Sequence, residues 1–383
     1  MIAQRFNSAV RQTLVMALAG TLAACAVVPK APEDNAPAPA PAPLPADEGR
    51  HRVALLVPLS GTHGAAGQAV ANATTMALLD TNATKLRITT YDTSLGAPAA
   101  AARAVADGNK LILGPLLGED ALAVAQTARS AQVPVISYTG DDSVAGGNVF
   151  VMGSIPAQSI ARVVRYARAQ GATRFAALIP LGDYGERAGK AMIASVRAAG
   201  GQLVGMESYD RTDGAVANAV KRLKARGAYD AVLVADTAAV GARAAPMLKA
   251  GQPKLRILGS ELWIGEPLVA QTPALSGAWF ASLSDQRFGR FSTSYQTRFG
   301  TAPYRIATLG YDSVLLTLRI TREWEVGTPF PTQRLFDKGG FLGIDGIFRF
   351  SANQAIERAL EVREARGGTI TVVSPPPIRF DTP

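Results

Sequence analysis

Cysteine and histidine are almost absent from this sequence. Among its 383 residues it has one cysteine, Cys25, and two histidines, His51 and His63. A single cysteine excludes an intramolecular disulfide, and these three residues are too few for a Cys/His zinc site. The glycine-rich segment 60–64 also lacks the Gly-Lys-Ser/Thr of a phosphate-binding P-loop. We therefore expect no metal and no cofactor.

An assembled set of catalytic residues is missing as well. His63 lies in a turn before a predicted helix, where a polar residue is more common than a general base. The adjacent acids Asp141 and Asp142 could act as an acid–base pair, but neighbouring acids in a loop are more often helix caps or solvated turns. Because a function has to be argued from a site, we predict a protein that is not an enzyme.

The N-terminal segment has the parts of a targeting signal. Arg5 and Arg11 provide positive charge, and residues 13–22 form an apolar run that is too short to span a membrane as a mature helix. The sequence Leu22-Ala23-Ala24-Cys25 then resembles a bacterial lipobox. This implies that residues 1–24 are a signal peptide and that the cysteine carries the lipid. The alternative is a secretory signal with an incidental cysteine.

The segment 25–50 is interpreted as a tether. Proline alternates mainly with alanine in it, and proline fixes φ and removes a hydrogen-bond donor. The segment therefore favours polyproline II and does not form a core. Ala26 rather than aspartate follows the cysteine, which by the usual bacterial sorting pattern favours the inner leaflet of the outer membrane. We expect a periplasmic domain that is anchored to this membrane by lipid.

The charge of the chain is mildly basic. The formal net charge is +9, while 48% of the residues are hydrophobic and 18% are charged, so the chain can bury a large core. The basic residues are dispersed. One cluster, residues 221–226, lies on the polar side of a predicted amphipathic helix, which is typical of a solvated face. We expect no nucleic-acid partner.

From residue 51 onward, short apolar runs alternate with helical patterns. Residues 52–57 form an apolar run, a turn follows, and positions 70, 74 and 78 recur at helical spacing. Such a run fits a strand that is buried on both faces, as in parallel sheets flanked by helices. The alternation continues to about residue 373. It predicts an α/β fold class with two Rossmann-like parallel-sheet lobes.

Several short motifs follow one another at characteristic spacing. They are Ala54-Leu55-Leu56-Val57-Pro58-Leu59-Ser60-Gly61, Ile112-Leu113-Gly114-Pro115, Val133-Pro134-Val135-Ile136-Ser137, Asp183-Tyr184-Gly185 and Gly310-Tyr311-Asp312. Together they resemble the type I periplasmic binding protein fold of the Leu/Ile/Val-binding family. The resemblance implies that two lobes are joined by a hinge of three crossing strands.

The resemblance also implies boundaries for the lobes. The three crossings are expected near Met152, Ser282 and Phe348. The first lobe then comprises 51–152 and 283–347, the second lobe comprises 153–282 and 348–375, and 376–383 form a tail.

Within that family, the chain resembles lipoproteins that activate penicillin-binding proteins. The marks are the lipobox, the strand 54–61 and Leu113-Gly114-Pro115-Leu116-Leu117, where amino-acid receptors vary. The helical-repeat domain of the best-known activators has no counterpart between the tether and residue 52. The resemblance implies regulation of peptidoglycan synthesis through contact with a class A penicillin-binding protein. The alternative is a lipid-anchored solute receptor that partners the permease of a branched-chain amino-acid-type ABC transporter.

The family also implies a ligand cleft between the lobes. Its amino-acid receptors bind the ligand carboxylate through a hydroxyl residue after the third strand and a threonine after the fourth. The matching positions here are Gly118 and Asp141, so both hydroxyls are lost. Glu261 matches the acid that binds the ligand ammonium group, and Tyr184 matches a residue that packs over the ligand. We therefore expect no submillimolar binding of leucine, isoleucine or valine near pH 7, and we expect any small ligand to be neutral or cationic.

Other residues at the strand ends complete the candidate cleft: Ser60, Glu119, Thr139 and Asp236. An acid in the first turn of a helix, such as Glu119, also stabilises that helix without any ligand. Whether the cleft binds a small molecule, and which one, stays open at this point.

Overall fold

The computed structural model describes residues 49–212 and 214–380. The predicted signal peptide, the predicted lipid-bearing Cys25, nearly all of the tether and the last three residues of the tail lie outside the described residues. Among the helices in the described ranges, none combines the length and the apolar composition that a membrane crossing requires.

The described chain forms strands in three sheets, with helices between them. The strands are β1 (His51–Val57), β2 (Leu86–Asp92), β3 (Leu111–Leu113), β4 (Val135–Ser137), β5 (Val149–Val151), β6 (Arg174–Pro180), β7 (Gln202–Tyr209), β8 (Ala231–Val234), β9 (Arg256–Gly259), β10 (Trp279–Ser282), β11 (Phe341–Gly343), β12 (Gly346–Phe350), β13 (Ile356–Arg358), β14 (Glu361–Arg366) and β15 (Thr369–Ser374). The α-helices are α1 (Gly64–Asp80), α2 (Ala97–Ala106), α3 (Gly118–Arg129), α4 (Pro156–Ala169), α5 (Asp183–Ala198), α6 (Ala215–Ala225), α7 (Ala238–Lys249), α8 (Pro267–Gln271), α9 (Phe288–Phe299) and α10 (Ala307–Ile320).

The first sheet is parallel throughout and has the strand order β2-β1-β3-β4-β5. Alternate residues of β1 face two different cores, as the pleat of a strand requires. Val53 and Leu55 pack with side chains of α1 and α10, whereas Ala54 and Leu56 pack with side chains of α2 and α3. All four residues are fully buried. The apolar run at 52–57 is therefore covered by helices on both faces.

Helices α1 and α10 approach each other closely at Gly310. A Cβ atom at this position would lie 2.4 Å from the carbonyl oxygen of Val70 and 2.7 Å from Thr74 Oγ1. Any larger residue would have to push the two helices apart. Gly310, the first residue of the motif Gly310-Tyr311-Asp312, therefore allows the close packing of these two helices.

His51 has a packing role as well. It is buried and stacks on Trp324, with a ring-centroid distance of 4.0 Å and an interplanar angle of 23°. Burial lowers the pKa of His51, and the nearby charge of Lys85 lowers it further. Helix α10 ends at Ile320, and Trp324 follows it as a core residue.

The second sheet has seven strands in the order β15-β14-β10-β9-β8-β6-β7. Its strands from β6 to β10 pair in parallel, while β14 and β15 add an antiparallel hairpin at one edge. Helices α6 and α7 contribute to one core and helices α4 and α5 to another, which again covers the parallel strands on both faces. This sheet organises the second lobe.

The third sheet, β11-β12-β13, is antiparallel, and the pattern of the sequence did not predict β13. Phe348, Phe350 and Ile356 of this sheet pack in the core of the first lobe. Val362 and Leu360, in contrast, pack in the core of the second lobe. The third crossing therefore lies at residues 359–360. The prediction near Phe348 was about ten residues too early, because residues 348–358 complete the first lobe.

Candidate functional site

Three predicted cleft residues meet at the carboxyl ends of β3 and β4. Gly118 opens α3, and a Cβ atom there would lie 3.1 Å from Thr139 Oγ1 and 3.4 Å from Asp141 Cβ. Thr139 is buried, and its hydroxyl accepts a hydrogen bond of 3.1 Å from the backbone N–H of Asp141. Thr139 therefore provides a hydroxyl group on this wall of the cleft. It lies directly beside Gly118, which has no side chain that could provide one.

Asp141 also caps the short 3₁₀ helix that follows it, Asp142–Val144. Its Oδ1 accepts hydrogen bonds from the backbone N–H of Ser143 at 3.1 Å and from the Ser143 hydroxyl at 2.7 Å. This is the capping role that the sequence favoured over acid–base chemistry for the two adjacent acids. The second oxygen, Oδ2, remains available to face the other lobe.

An ion pair connects the two lobes across the cleft. Arg187, on α5 of the second lobe, donates to Asp141 Oδ2 at 3.4 Å. Its Nε is buried and has no hydrogen-bond partner in the described part of the chain. Arg187 is not among the cleft residues that were predicted from the sequence. Its position three residues after Tyr184, on the same helix face, is the signal that could have found it.

Glu261 lies at the end of β9 and is held by hydroxyl groups. The Ser159 hydroxyl donates to Glu261 Oε2 at 2.6 Å, and the Tyr184 hydroxyl donates to Oε1 at 2.9 Å. The backbone N–H of Glu261 donates in turn to Ser159 Oγ at 3.2 Å. Ser159 lies in the first turn of α4 and is also absent from the predicted set, since nothing in the local sequence links it to a residue about a hundred positions away.

Tyr184 is positioned by the motif Asp183-Tyr184-Gly185 at the start of α5. A Cβ atom at Gly185 would lie only 1.6 Å from the carbonyl oxygen of Pro180, so glycine allows the helix to begin directly against β6. This close approach places the Tyr184 hydroxyl within 3.0 Å of Ser260 Oγ and beside Glu261. Burial, followed by the charge of Glu261, raises the pKa of Tyr184, so the hydroxyl stays protonated as a donor.

The electrostatics of Glu261 are unusual for a carboxylate. Burial raises its pKa, and the hydrogen bonds from Ser159 and Tyr184 together with the charge of Arg187 lower it only in part. Among the salt bridges of the described residues, none involves Glu261. A partly buried carboxylate with hydroxyl donors and no paired cation favours the approach of a cationic group.

A small cavity lies beside Glu261 at the hinge. Its wall includes Ser154 and Ile155 after the first crossing, Ser159, and Arg358 before the third crossing. The cavity has a volume of about 10 Å³, which is room for about one water molecule. A ligand as large as an amino acid can therefore enter only if the lobes separate, and the crossings at the hinge are where such a motion would occur.

The other predicted residues serve other purposes. Asp236 is fully buried and accepts hydrogen bonds from the Tyr209 hydroxyl at 2.9 Å and from Arg211 through both of its oxygens, each at 3.2 Å. Its acceptors are thus used within the second lobe. Ser60 is exposed, and its backbone N–H donates to Ser94. Glu119 is exposed in the first turn of α3, where an acid stabilises the helix.

A comparison with known protein families shows the family of this chain. A family model described as periplasmic binding protein matches residues 51–336, which include the first sheet and the parallel strands of the second. The chain belongs to the periplasmic binding protein family. The family implies a periplasmic location, as the N-terminal signal predicted. A curated relative, an uncharacterized protein from Rickettsia prowazekii, is 25% identical over 173 residues, which are 45% of this chain and 46% of that protein. The match spans less than half the length of that relative.

Solved structures confirm the type I periplasmic binding protein fold. A branched chain amino acid ABC transporter periplasmic ligand-binding protein from Burkholderia xenovorans has a TM-score of 0.71 at 16% identity, with 87% of this chain and 97% of that chain covered. A branched-chain amino acid transporter substrate binding protein from Streptococcus pneumoniae, in complex with isoleucine, has a TM-score of 0.62 at 19% identity, with 85% and 100% covered. At these identities, the similarity establishes the fold alone.

Proposed function

We propose that this periplasmic binding protein is the solute-binding receptor of an ABC transporter and that its ligand carries an ammonium group. The proposal rests on Glu261, which is partly buried at the hinge, is held by two hydroxyl groups and has no paired cation in the described ranges. Removing a carboxylate from water is costly unless a cation and further hydrogen bonds compensate. A ligand ammonium group would provide both.

The comparisons support this function better than regulation of peptidoglycan synthesis. The neighbours from Burkholderia xenovorans and Streptococcus pneumoniae are both named as binding proteins of transporters, and the second was solved with isoleucine. The interpretation as an activator of a class A penicillin-binding protein rests on the lipobox and on residues 113–117, and it stays a prediction. A lipobox fits a lipid-anchored receptor equally well. The partner that we propose is therefore an ABC permease.

Arg187 changes the charge that a ligand carboxylate would meet in the cleft. From the sequence, a ligand carboxylate would meet the charge of Asp141 and no hydroxyl at Gly118. In the structure, Asp141 is paired with Arg187 at 3.4 Å, so the repulsion is offset by a guanidinium group. A zwitterion could thus be accommodated, with its ammonium group at Glu261. We propose an amino acid or a small amine as the ligand.

Calorimetry on the purified chain tests this proposal. The titrants are the standard amino acids, small diamines, and benzoate and glucose as compounds that lack an ammonium group. We expect micromolar binding of at least one ammonium-bearing compound and no binding of benzoate or glucose.

A distance measurement tests whether the lobes move. Leu95 in the first lobe and Lys221 on α6 of the second lobe are exposed, so both positions can carry spin labels. The distribution of the distance between the two labels should change when the ammonium-bearing compound binds.

Two results would contradict the proposal. One is tight binding of a compound without an ammonium group. The other is no binding across the panel together with recovery of a penicillin-binding protein from envelope extract, which would favour the regulator of peptidoglycan synthesis.

We also propose that lipid on Cys25 anchors the protein to the outer membrane. Cys25→Ser removes the thiol that accepts the lipid, so nearly all of the protein should move to the soluble periplasmic fraction or remain as an unprocessed precursor. Fractionation and mass spectrometry measure this change, and Ser8→Ala, outside the lipobox, serves as the control. Normal acylation and normal membrane association of Cys25→Ser would refute the anchor.

A further inference from the structure

A second cavity, of about 540 Å³, opens at the surface between α4 and the third sheet. Its polar wall consists mainly of arginine. We call it the arginine cavity and define it by Arg162 and Arg165 of α4, Arg349 of β12, Arg358 of β13 and Arg379 of the tail. These residues come from both lobes and from the tail, so the chain assembles the cavity only when it is folded.

The charge of this wall is strongly one-sided. Among the described residues that line the cavity, Glu357 is the one acid. It accepts a hydrogen bond of 2.7 Å from Arg349 Nε and is therefore already engaged. The guanidinium groups of Arg162, Arg165 and Arg358 produce a positive potential in a concave site, where low-dielectric walls strengthen the attraction for an anion.

Arg358 shows that the site is built rather than a random surface cluster. The residue is 9% exposed, and its Nη2 donates to the carbonyl oxygen of Met152 at 3.1 Å. Its Nε and Nη1 are buried and donate to no acceptor in the described part of the chain. Burial lowers the pKa of Arg358, although an arginine in a protein keeps its charge. The charges of Asp345 and Asp312 raise the pKa of Arg358 only in part, so an anion in the cavity would further compensate this buried cation.

The arginines of α4 are positioned before any ligand arrives. Arg162 Nε donates to the carbonyl oxygen of Leu360 at 2.9 Å, and its Nη2 donates to Ser374 Oγ at 2.6 Å. Arg165 lies three residues further on the same helix face and is exposed. Burial and then the charge of Arg165 lower the pKa of Arg162, which agrees with the closeness of the two cations on this helix face.

We propose that the arginine cavity binds a phosphate group. Guanidinium groups match the oxygens of phosphate in bidentate geometry, and several of them around one concave site suit a multiply charged anion better than a single carboxylate. The volume exceeds that of phosphate alone, so it has room for a phosphate-bearing molecule such as glycerol phosphate or a phospholipid headgroup. This site is separate from the solute cleft, although Gln158, Arg358 and Leu360 line both cavities.

Two binding measurements distinguish the sources of the phosphate group. In the first, the full chain is titrated with inorganic phosphate and with glycerol 3-phosphate by calorimetry. In the second, the Cys25→Ser chain, which has no lipid of its own, is sedimented with phosphatidylcholine vesicles that contain or lack phosphatidylglycerol. Binding in the first identifies a soluble phosphate compound. Binding only to the vesicles with phosphatidylglycerol identifies a lipid headgroup.

Three variants test whether the phosphate group binds in the arginine cavity. Arg165→Ala changes an exposed residue and should weaken binding about tenfold through the loss of one charge-assisted contact. Arg358→Met should abolish it. Arg197→Ala is the matched control, because Arg197 is an exposed helical arginine that does not line the cavity, and binding should be unchanged.

Binding that is weakened by Arg165→Ala and not by Arg197→Ala supports the site even if Arg358→Met fails to fold. Equal effects of the two alanine variants, or no binding in either measurement, would overturn the proposal. Since Glu261→Gln alters the cleft and not the arginines, it should leave phosphate binding intact, which separates this test from that of the solute receptor.

Discussion

Glu261→Gln is expected to weaken binding of the ammonium-bearing ligand by about one to two decades. A hydrogen bond to a charged group contributes about 1.5–3 kcal/mol, and about 1.4 kcal/mol corresponds to one decade in Kd. The same substitution should raise the free energy of unfolding, because it removes a partly buried charge and keeps one acceptor oxygen for the Tyr184 hydroxyl. Its amide N–H₂ group can donate to Ser159 Oγ, whose hydroxyl then donates to the carbonyl oxygen of Pro156. Calorimetry and chemical denaturation at neutral pH measure the two effects.

Glu119→Gln is the matched control for this substitution. It makes the same chemical change at an exposed residue in the first turn of α3, so ligand binding should be unchanged and stability should change by no more than about 0.5 kcal/mol. The combination of weaker binding and higher stability is specific to the proposed role of Glu261. A Glu261→Gln variant that binds normally, or that loses stability, would show that Glu261 is a structural residue.

Asp312→Asn is expected to remove a large pH dependence of stability. Asp312 is fully buried on α10, its Oδ1 accepts a hydrogen bond of 2.7 Å from the Ile344 N–H, and its Oδ2 has no partner among the described residues. Burial, followed by the charge of Asp345, raises the pKa of Asp312 to about 7, while the charge of Arg358 lowers it only in part. The folded protein therefore holds this proton more tightly than the unfolded chain.

The direction of the pH dependence follows from the difference between the pKa values of Asp312 in the folded protein and in the unfolded chain. The unfolded chain loses the proton near the ordinary pKa of about 3.9, and the folded protein loses it near 7. The stabilisation is therefore complete below about pH 4 and is lost as the pH rises to about 7. The amide N–H₂ group of asparagine would lack a partner, at a cost of about 1–3 kcal/mol at every pH. The stability of the variant relative to the wild type should therefore rise as the pH increases from about 4 to about 7.

Chemical denaturation of the wild type and of Asp312→Asn between pH 4.5 and pH 8 checks this expectation. The wild type should lose stability across this range, and the variant should show a flatter profile. Asp337→Asn is the control, because the hydrogen bond from Arg319 holds the pKa of Asp337 below its ordinary value. That contribution is lost only at more acidic pH, so the wild-type slope should remain. Parallel profiles for the wild type and Asp312→Asn would refute the expectation.

Local patterns predicted the elements of the fold well. The apolar run at 52–57 specified a strand buried on both faces, and the structure places its alternate residues in two cores. The structure joins β14 and β15 as an antiparallel hairpin, and the Gly367-Gly368 pair between them is a typical turn sequence. The strand β13 was not predicted, because its three residues are too few for a period to be detected, and the boundary of the third crossing was misplaced with it.

The site was predictable where one residue matched a motif, and not where the role depends on a distant partner. Glu261 and Tyr184 were named from the sequence, but Ser159 and Arg187 were not, since each acts on a residue of another element. The opposite also occurred with Asp236. It lies at a strand end like the other candidates, yet Tyr209 and Arg211 occupy its oxygens.

The sequence by itself determined the alternation of strands and helices and the two parallel-sheet lobes, because hydrophobic period is a local property of the chain, and the order of its motifs indicated the family through a resemblance. Only the tertiary structure decided which charges are paired. Asp141 is paired with Arg187, whereas Glu261 is held by the hydroxyl groups of Ser159 and Tyr184 without a paired cation, and two nitrogens of Arg358 are buried without a hydrogen-bond partner in the described residues. The reason is physical: the energy of a buried charge depends on distance and solvent exclusion, which are set when segments remote in the chain are brought together.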